Sequence, residues 1–531
     1  MRLASWIAFV LFAFAVVVQT NDPDPAIWIL AYGIAAASAF ASGRGRYFPR
    51  ASAIAGALYL FFAWRETPGN AGGAAASAFS SFGMASLDIE EVRESLGLAI
   101  CGLWMAVVAA VGCARRSARP FAARTAPLVL CVVLLFAGGC AAQTAQTAQT
   151  ARTARPSGAS GPVVGADAVA VPLAPAKQLV PRVRVADHLE NPRGMLARAG
   201  DALLVSVAGT GDPAKPATGA LLRLEDENGD GRFDGPGERR ELLNGRESKN
   251  IVDIVRRDEV FGMAGMAEGD GTTLVSLAYF GGPSTIYRVD GGKVREWSRV
   301  YGNINDVAFD PKRGIWLGVS SSSDEVVQLQ PERGSRRIVK LPPLPRGQDA
   351  VPGYLRHDPR SGDVLVTLFS GSTEGEEGGE GTELEPRAGG VVRVDPDSGE
   401  MRWLVTGLTA PTDLEIGPDG RLYVLEFCSD FADPIRDRAA LWSEPSHGGF
   451  RRFSGRLLSI DPDTGEVVVL AEGLDGPTNL ALRGRELFIA QGMGTPGRPI
   501  PGPEGTVPLT GFIDKLVLPE TSRAGAGDRR A

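Results

Sequence analysis

The stretch APTDLEIGPDGRLYVLEF, Ala410–Phe427, contains two short apolar runs on either side of a Gly-Pro-Asp-Gly segment. Short runs of branched and aromatic residues are typical of β-strands, and a Gly-Pro-Asp-Gly segment is typical of the turn between two strands. The stretch therefore predicts a β-hairpin. A single hairpin is at best marginally stable in water, so this one must pack against further strands of the chain.

Five further stretches show the same order of a Pro or Asn, an apolar pair, a Gly/Asp turn and an apolar strand. The six copies are Asn191–Ser206, Asn250–Ala264, Asn303–Val319, Val351–Leu368, Ala410–Phe427 and Gly476–Gly492. Equivalent positions (193, 253, 306, 353, 413 and 479) lie 47 to 66 residues apart, close to the ~40–50 residues of a propeller blade plus loop insertions. Because radial stacking gives every sheet two neighbours, the repeat predicts an all-β six-bladed propeller over residues 178–519. A β-sandwich of unrelated strands would not produce a repeat of this length.

The repeat motifs also resemble a known superfamily. APTDLEIGPDGRLYVLEF, NPRGM and DGPTNLAL are similar to the NHL-repeat, gluconolactonase-like and scytonemin-cluster-type six-bladed propellers. That superfamily comprises lactonases, sugar dehydrogenases and binding modules. The resemblance therefore implies the fold and leaves the reaction to be argued from specific sites.

The first 113 residues predict a helical membrane domain with four spans. Its apolar segments are Leu3–Val18, Ala26–Ser42, Ala51–Trp64 and Leu96–Cys113. The loops assigned to the inside carry eight basic residues, Arg2, Arg44, Arg46, Arg50, Arg115, Arg116, Arg119 and Arg124. The loops assigned to the outside carry only Arg65 and Arg93. This positive-inside bias predicts a cytoplasmic N-terminus.

The loop between the first two spans carries a recognisable motif. VVVQTNDPDPAIWILAYG, Val16–Gly33, resembles the first loop of the small integral-membrane family called transmembrane protein 220, in which a similar Gln-x-Asn-Asp-Pro-Asp-Pro sequence precedes a Trp. The resemblance covers about Met1–Cys113 and implies no established chemistry. Asp22 and Asp24 lie beside prolines that end one helix and begin the next, which favours a structural turn over an ion site.

A fifth apolar segment, 114–139, has the order of a bacterial lipoprotein signal: basic residues, an apolar run, small residues and then Cys140. Two outcomes remain open, namely cleavage with lipidation of Cys140, or retention as a fifth, anchoring helix. Both place the following residues on the periplasmic side of a bacterial cell membrane. Residues 140–177, rich in Ala, Gln, Thr and Pro, predict a linker, and residues 520–531 predict a disordered tail.

Composition excludes several classes of function. The net charge of −7 gives no reason to expect a nucleic-acid partner, whose phosphates require a basic face. Of the five cysteines, only Cys428 lies in the propeller region, so no disulfide or thiolate metal site is available there. The three histidines lie in different repeats, and no Gly-x-Ser-x-Gly motif is present, so a nucleophilic triad is not expected.

The segment DENGDGRFDGPGE, Asp226–Glu238, has the order of a calcium-binding loop. Its oxygen donors are Asp226, Asn228, Asp230 and Asp234, with the carbonyl of Arg232 between the last two and the turn residue Gly231 before it. Gly237 occupies the position of the usual bidentate glutamate, and Glu238 follows one residue late. The segment predicts either a structural Ca²⁺ site at the tip of a hairpin or an acidic turn without metal.

A second candidate site is the ring of residues at the start of the inner strands, which converge on the axis of a propeller. Its weakly predicted members are Glu190, Asp253, Asp306, Asp413 and Asn479. Converging carboxylates could hold a divalent cation that polarises a lactone carbonyl or activates water. Gluconolactonase-like enzymes use such a ring, and LENPRG places Glu190 in a position similar to their Glu-Gly-Pro. PTDL and PTNL depart from the family pattern, and Asx residues that cap strand turns are the alternative.

These observations predict a membrane-integral protein whose extracytoplasmic propeller binds an unidentified small-molecule or protein ligand. The insertion Asp430–Phe453, which carries Trp442, His447 and Phe450 among charged residues, is the better candidate for ligand contact. The acidic segment Ser372–Pro386 predicts a solvated loop. The alternatives are a metal-dependent, lactonase-like hydrolase and a quinone-dependent sugar dehydrogenase. No catalytic residues can be assigned.

Overall fold

The structure of the protein is a computed structural model. It describes residues 2–18, 25–65, 87–116, 168–198, 200–250, 258–279, 282–332, 334–344, 348–370, 385–431, 439–443, 449–502 and 505–520. The chain divides into two compact units, Met1–Gly158 and Ala159–Ala531. The fifth apolar segment, Asp22, Asp24 and Cys140 lie outside the described residues.

The described part of the first unit contains four helices. They are α1 (Arg2–Val18), α2 (Pro25–Gly43), α3 (Pro49–Arg65) and α4 (Leu87–Arg116). Both α2 and α3 begin at a proline, a residue suited to the first helical position because its missing N–H would have no partner there. Within α4, Ser95–Cys113 is long and apolar enough to cross a membrane, whereas the apolar parts of α1, α2 and α3 are shorter.

Helices α3 and α4 approach each other closely through glycines. A Cβ atom on Gly102 would lie 2.8 Å from Cγ of Leu60 and 3.2 Å from the carbonyl oxygen of Gly56. Small residues at such contacts are typical of membrane helices, which associate through close packing. Large apolar side chains on the outer surfaces, including Leu3 and Ile54, are exposed. The first unit is therefore a membrane-associated helical region, and its predicted four spans stay a prediction.

The described residues of the second unit contain six sheets of four or five strands, arranged as the blades of a propeller. The first blade contains β4 to β7 (Pro192–Ala197, Leu203–Val207, Gly219–Leu224, Arg239–Arg246), the second β10 to β13 (Met263–Gly269, Thr272–Leu277, Pro283–Asp290, Lys293–Tyr301), and the third β14 to β17 (Ile304–Asp310, Ile315–Ser320, Glu325–Gln330, Gly334–Lys340). The predicted six-bladed propeller is confirmed.

The remaining blades combine strands from both ends of the propeller sequence. The fourth contains β18 to β21 (Pro352–His357, Val364–Leu368, Gly389–Val394, Met401–Leu408) with β1 (Val169–Ala170), the fifth β22 to β25 (Pro411–Ile416, Leu422–Glu426, Gly455–Ile460, Val467–Leu474) with β2 (Ala176–Lys177), and the sixth β26 (Asn479–Arg483), β27 (Glu486–Gln491), β30 (Gly511–Val517) and β3 (Arg182–Leu189). Two short hairpins, β8–β9 (Lys249–Asn250, Val260–Phe261) and β28–β29 (Pro499–Gly502, Gly505–Pro508), and a 3₁₀ turn, Ala439–Trp442, complete the described elements.

The incoming chain closes the ring from outside. β1 and β2 pair in parallel with the outer strands of the fourth and fifth blades, and β3 then supplies the outer strand of the sixth. The propeller therefore includes strands from Val169 onward, and these lie within residues 140–177, which the sequence predicts to be a linker. Its closure joins an N-terminal strand to three C-terminal strands, so neither end of this unit can be removed without opening a sheet edge.

Repeated Asp-Pro turns connect strands at one end of the propeller. In the turns that begin at Asp310, Asp358, Asp395 and Asp461, the aspartate carboxylate accepts a hydrogen bond from the N–H two residues later. Each turn ends on a glycine with positive φ, for example Gly399 at 71°. A short polar side chain that bonds to its own turn and a residue free to adopt positive φ explain why these hairpins form.

Candidate functional site

The inner strands of three blades place Asx side chains on the propeller axis. Oδ2 of Asp306 accepts from the N–H of Leu355 at 3.2 Å, and Oδ2 of Asp413 accepts from the N–H of Leu480 at 2.8 Å. Oδ1 of Asn479 accepts from the N–H of Met195 at 2.6 Å in the same way. Each side chain thus joins its strand to the inner strand of the next blade. All three are buried.

An arginine lies between the two aspartates. Nη1 of Arg356 donates to Oδ2 of Asp306 at 2.7 Å, and Nη2 donates to Oδ2 of Asp413 at 3.0 Å. Its Nε donates to Oε1 of Glu415 at 3.0 Å. The side chains of Asp306 and Asp413 are 1% and 0% exposed, and that of Arg356 is 16% exposed. We call Asp306, Arg356, Asp413 and Glu415 the axial cluster.

The axial cluster contains three carboxyl groups and one guanidinium, and burial raises the pKa of two of the carboxyl groups. Burial raises the pKa of Asp306 to about 6, although Arg356 opposes the shift. The pKa of Asp413 is also raised well above its ordinary value, first by burial and then by the like charges of Glu415 and Asp306. These raised pKa values reduce the net negative charge on the axis near neutral pH.

Next to the axial cluster, buried side chains cover the propeller axis. Tyr354, at the place in the fourth blade that corresponds to Asp306 and Asp413, is buried and donates from its hydroxyl to the carbonyl of Arg193. Nη1 of Arg193 donates in turn to the carbonyl of Val260 at 3.1 Å and lies 3.1 Å from Sδ of Met493. A substrate would therefore have to displace buried side chains to reach the axis.

The axial residues do not fit the divalent cation that gluconolactonase-like propellers hold. One oxygen of each carboxylate, Oδ2 of Asp306, Oδ2 of Asp413 and Oε1 of Glu415, already pairs with a guanidinium that carries the positive charge itself. Oδ1 of Asp306 is buried and has no hydrogen-bond partner among the described residues, and this single oxygen is not a ligand set. Among the residues that the structure describes, no group of three or more His, Cys, Asp or Glu side chains is arranged to hold a metal ion. Asp306 and Asp413 lie on either side of Arg356, and Nδ2 of Asn479 donates to Oδ2 of Asp413 at 2.6 Å.

The structure does not bring the other two predicted members of the ring to Arg356. Asp253 is outside the described residues, and the inner strand of its blade is β10, which begins at Met263 and puts Gly265 at the ring position. A Cβ atom on Gly265 would lie 2.0 Å from Oδ1 of Asp306, so the glycine makes room for that carboxylate. Glu190 lies in the turn between β3 and β4, where its side chain is exposed.

Sequence reasoning missed Arg356 and Tyr354, although a signal was present. In the fourth copy, GYLRH places Tyr354 where the third and fifth copies have Asp306 and Asp413. Arg356 follows two residues later, at the position that corresponds to Glu415 in the fifth copy. A basic residue aligned with an acidic one on a converging ring predicts an ion pair across the axis.

The calcium-like segment forms the connection between β6 and β7 of the first blade. Asp226 accepts hydrogen bonds from the N–H groups of Gly229 and Gly231 at 2.7 and 2.9 Å. Asp230 accepts from the N–H of Arg232 at 2.8 Å, and the guanidinium of Arg232 pairs with Asp234. Asn228 bonds to Asp230 through both its side-chain oxygen and nitrogen. The predicted donors are therefore close in one loop that is closed by backbone N–H groups and an arginine.

The longer connections between strands emerge together at one end of the propeller. We call the described residues of these connections the insertion face, namely 208–218, 247–250, 258–262, 369–370, 385–388, 427–431, 439–443, 449–454, 492–502 and 505–510. Equivalent connections in stacked antiparallel blades share one end because each blade repeats the same strand order. Of the connections at the opposite end, only 225–238, which carries the calcium-like segment, is long.

Contacts between the insertions make the insertion face continuous. Phe427 and Phe450 pack edge to face with ring centroids 4.5 Å apart, and Phe369 packs against both. Nη1 of Arg498 donates to Oδ2 of Asp258 at 3.1 Å, and both side chains are fully buried. Nη1 of Arg452 donates to carbonyls of β28 and β29 at 3.0 Å. The insertions therefore form one built surface over the end of the axis.

Solved structures with several functions are similar to this chain. The PQQ-bound aldose sugar dehydrogenase of Streptomyces coelicolor is 14% identical over 64% of this chain and 100% of that chain, with a TM-score of 0.38. A luciferin-regenerating enzyme is 11% identical over 65% of this chain and 96% of that chain, with a TM-score of 0.37. A structure of the nidogen/laminin complex is 16% identical over 52% of this chain and 84% of that chain, with a TM-score of 0.35.

The predicted resemblance to gluconolactonase-like and sugar-dehydrogenase-like propellers is confirmed, but TM-scores below 0.5 bear on neither the ligand nor the reaction. No curated protein sequence matches the chain. Residues 11–110 match the family model described as transmembrane family 220, helix, so the N-terminal region of this chain is similar to that membrane family, as its first loop predicted.

Proposed function

We propose that this chain is a membrane-anchored binding protein of the bacterial cell envelope. Its propeller lies on the extracytoplasmic side and meets a small-molecule or protein ligand through the insertion face. The proposal rests on one observation. The long insertions lie at one end of the propeller, where buried ion pairs and aromatic contacts hold them. Loops held on a rigid scaffold are where binding residues concentrate.

Trp442 is the best candidate for a contact residue on the insertion face. It ends the 3₁₀ turn Ala439–Trp442, whose Ala440 and Leu441 are buried, while the Trp442 side chain itself is 59% exposed. A large aromatic side chain exposed on an anchored turn loses little conformational freedom when it is covered by a ligand. Trp442 is therefore suited to carry much of the binding energy.

The axial cluster supports binding over the two catalytic alternatives. A metal-dependent lactonase needs carboxylates free to hold a cation, and here Arg356 engages those of Asp306, Asp413 and Glu415. A quinone cofactor needs an accessible face at the axis, where Tyr354 and Arg193 are buried. We therefore place function at the insertion face and assign the axial cluster to the stability of the ring.

We further propose that the segment from Asp226 to Asp234 binds Ca²⁺ as a structural ion. The order of its oxygen donors and the positive φ of 83° at Gly231 support this, because a calcium loop turns sharply at that position. The ion would replace the pairing of Arg232 with Asp234 as the source of positive charge in the loop. We also propose that four membrane spans precede Cys140 and that Cys140 carries a lipid.

Photo-crosslinking in living cells tests the insertion face. A photoreactive amino acid at position 442 should give a discrete crosslinked adduct, whereas the same amino acid at position 463, 79% exposed at the opposite end of the same blade, should give none. Equal adducts at both positions, or none at 442, would contradict the proposal.

An activity assay tests the alternatives on the same purified chain. Glucono-1,5-lactone with Ca²⁺, Mn²⁺ or Zn²⁺, and glucose with PQQ and a reducible dye, should show no turnover above buffer. Metal-stimulated lactone hydrolysis that is lost in Asp306→Asn and Asp413→Asn would establish the hydrolase instead.

A further inference from the structure

A cleft of about 270 Å³ opens at the seam where β3 of the sixth blade meets the first blade. This volume is close to the lower end of the range of small-ligand sites, which begins near ~300 Å³. His188, Glu190 and Glu241 contribute polar groups to its lining, and Val207, Ala220 and Leu222 contribute apolar ones. No lining residue of the cleft belongs to the axial cluster, and Thr218 is the only one that belongs to the insertion face.

The turn that carries Glu190 is held in an uncommon backbone conformation. His188 and Asn191 have φ values of 55° and 57°, in the left-handed region that residues other than glycine rarely adopt. Nδ2 of Asn191 donates to the carbonyl of Gly209, and its Oδ1 accepts from the N–H of Gly494, both at 2.5 Å. Such conformations persist where surrounding contacts impose them, and they concentrate at ligand sites. The contacts fix the position of Glu190 at the cleft.

The charges around the cleft are unbalanced. The Glu190 carboxylate has no hydrogen bond or ion pair among the described residues, and Glu241 accepts only from Nδ2 of Asn244 at 2.9 Å. Arg239 also lines the cleft, but its Nε donates to the carbonyl of Phe233 at 3.0 Å and its Nη2 to that of Asp187. Because the arginine is directed to backbone carbonyls, the two glutamates favour a positively charged ligand.

The apolar lining limits the rest of the ligand. Val207 and Ala220 are 5% and 7% exposed and belong to the hydrophobic core between the sixth and first blades, against which Leu222 packs. A short hydrocarbon chain placed on these side chains would lose contact with water, which favours binding by about 0.8 kcal/mol for each CH₂ group buried. The lining therefore suits an unbranched aliphatic segment next to a charged end.

We propose that this cleft binds a small organic cation, with a primary ammonium group held by Glu190 and Glu241 and a short alkyl chain on Val207, Ala220 and Leu222. The hydroxyl of Thr218 also lines the cleft, but it already accepts from the N–H of Thr210 at 2.8 Å and contacts the Thr210 hydroxyl at 3.2 Å, so the two glutamates alone hold the ammonium group. An aliphatic carboxylate of the same length should bind more weakly, because Glu190, Glu241 and Arg239 together carry a net negative charge and the donors of Arg239 are directed to backbone carbonyls.

Saturation-transfer-difference NMR on the full-length chain in detergent micelles tests this proposal. The probes are n-butylammonium and n-butyrate, and every sample contains the same micelles, so partition into detergent is common to all. The wild-type chain should bind n-butylammonium saturably and bind n-butyrate at least about tenfold more weakly, which corresponds to one charge-assisted contact. Glu190→Gln/Glu241→Gln should weaken n-butylammonium binding by about tenfold or more.

The matched control is Glu400→Gln, which removes one exposed carboxylate from a turn of the fourth blade and should leave the affinity unchanged. Glu190 and Glu241 are both exposed, so their substitution should not prevent folding, and a melting curve of each variant checks this. No saturable binding of n-butylammonium, equal binding of n-butyrate, or equal losses in Glu400→Gln and the double variant would each overturn the proposal. None of these outcomes bears on crosslinking at position 442.

Discussion

Removing the guanidinium from the axial cluster should strongly destabilise the propeller. Arg356→Met keeps most of the side-chain volume but leaves the carboxyl groups of Asp306 and Asp413, which are 1% and 0% exposed, without their cation. Loss of one partner from a buried ion pair typically costs about 3–5 kcal/mol, because the other charge remains buried and uncompensated. We expect a loss of this size in the free energy of unfolding at pH 8.

The loss should shrink as the pH falls. In the wild type, burial raises the pKa of Asp306 to about 6, above its ordinary value near 4. Its contribution to stability is therefore fully present below about pH 4 and is lost as pH rises through 6. Without Arg356 the pKa rises further, and each additional unit increases the loss at pH 8 by about 1.4 kcal/mol. At pH 5 the aspartates of the variant bind protons, so the difference from the wild type should be smallest there.

Denaturant unfolding of the full-length chain in detergent, followed by near-ultraviolet circular dichroism at pH 5 and pH 8, measures both effects. The control is Arg336→Met, because Arg336 is exposed and its side chain contacts Gln328 on a neighbouring strand; it should change stability by less than about 0.5 kcal/mol. Adding Asp306→Asn and Asp413→Asn to Arg356→Met should recover most of the loss. The reasoning is refuted if Arg356→Met lies within about 1 kcal/mol of the wild type at pH 8, or if its loss is the same at pH 5.

Three further predictions address the ion, the lipid and the topology. After chelator treatment, added Ca²⁺ should stabilise the chain by about 2.7 kcal/mol at a hundredfold excess over Kd, and Mg²⁺ should stabilise it less. The double variant Asp226→Ala/Asp230→Ala should show no shift in Tm with Ca²⁺. If Ca²⁺ does not change the Tm of the wild type, the calcium proposal is wrong. Cells fed a clickable palmitate should label the wild type and not Cys140→Ser, and equal labelling of both would show that Cys140 carries no lipid. A C-terminal alkaline phosphatase fusion should be active and a green fluorescent protein fusion dark, because the propeller is expected outside the cytoplasm; the reverse result would place it inside.

The fold could be predicted because each blade is specified locally. Short apolar runs separated by Gly and Asp turns recur in every copy, Asp-Pro turns such as that at Asp395 recur in the third to fifth blades, and a blade of this kind is stable only between two neighbours. The second copy was placed about ten residues too early in the sequence. NIVDIV resembles the start of a blade, but the inner strand of that blade begins at Met263. VFGMAGMAEGDGTTLVSL, with Gly-Met before a Gly-Asp turn, matches the first copy better.

The closure of the ring could not be read from the repeat. β1, β2 and β3 pair with strands more than two hundred residues away, and β1 and β2, which have two residues each, carry no pattern that distinguishes them from a linker. Their pairing is fixed by the exposed outer edges of the fourth and fifth blades, which exist only after those blades have formed. Glu190 was misplaced for the same reason, since the direction of its side chain depends on the left-handed turn at the closure.

The ring position at the start of an inner strand can serve two roles, namely joining neighbouring blades and holding a metal. Asp306, Asp413 and Asn479 accept the N–H of the next inner strand at distances of 2.6 to 3.2 Å, and the neutral Asn479 makes this bond as the two aspartates do. The Asx residue at the start of these three repeats is therefore explained by the stacking of blades alone. The residue that decides between metal chemistry and a purely structural ring lies elsewhere, at the position of Arg356, because only a fixed cation there engages the carboxylate oxygens that a metal would need.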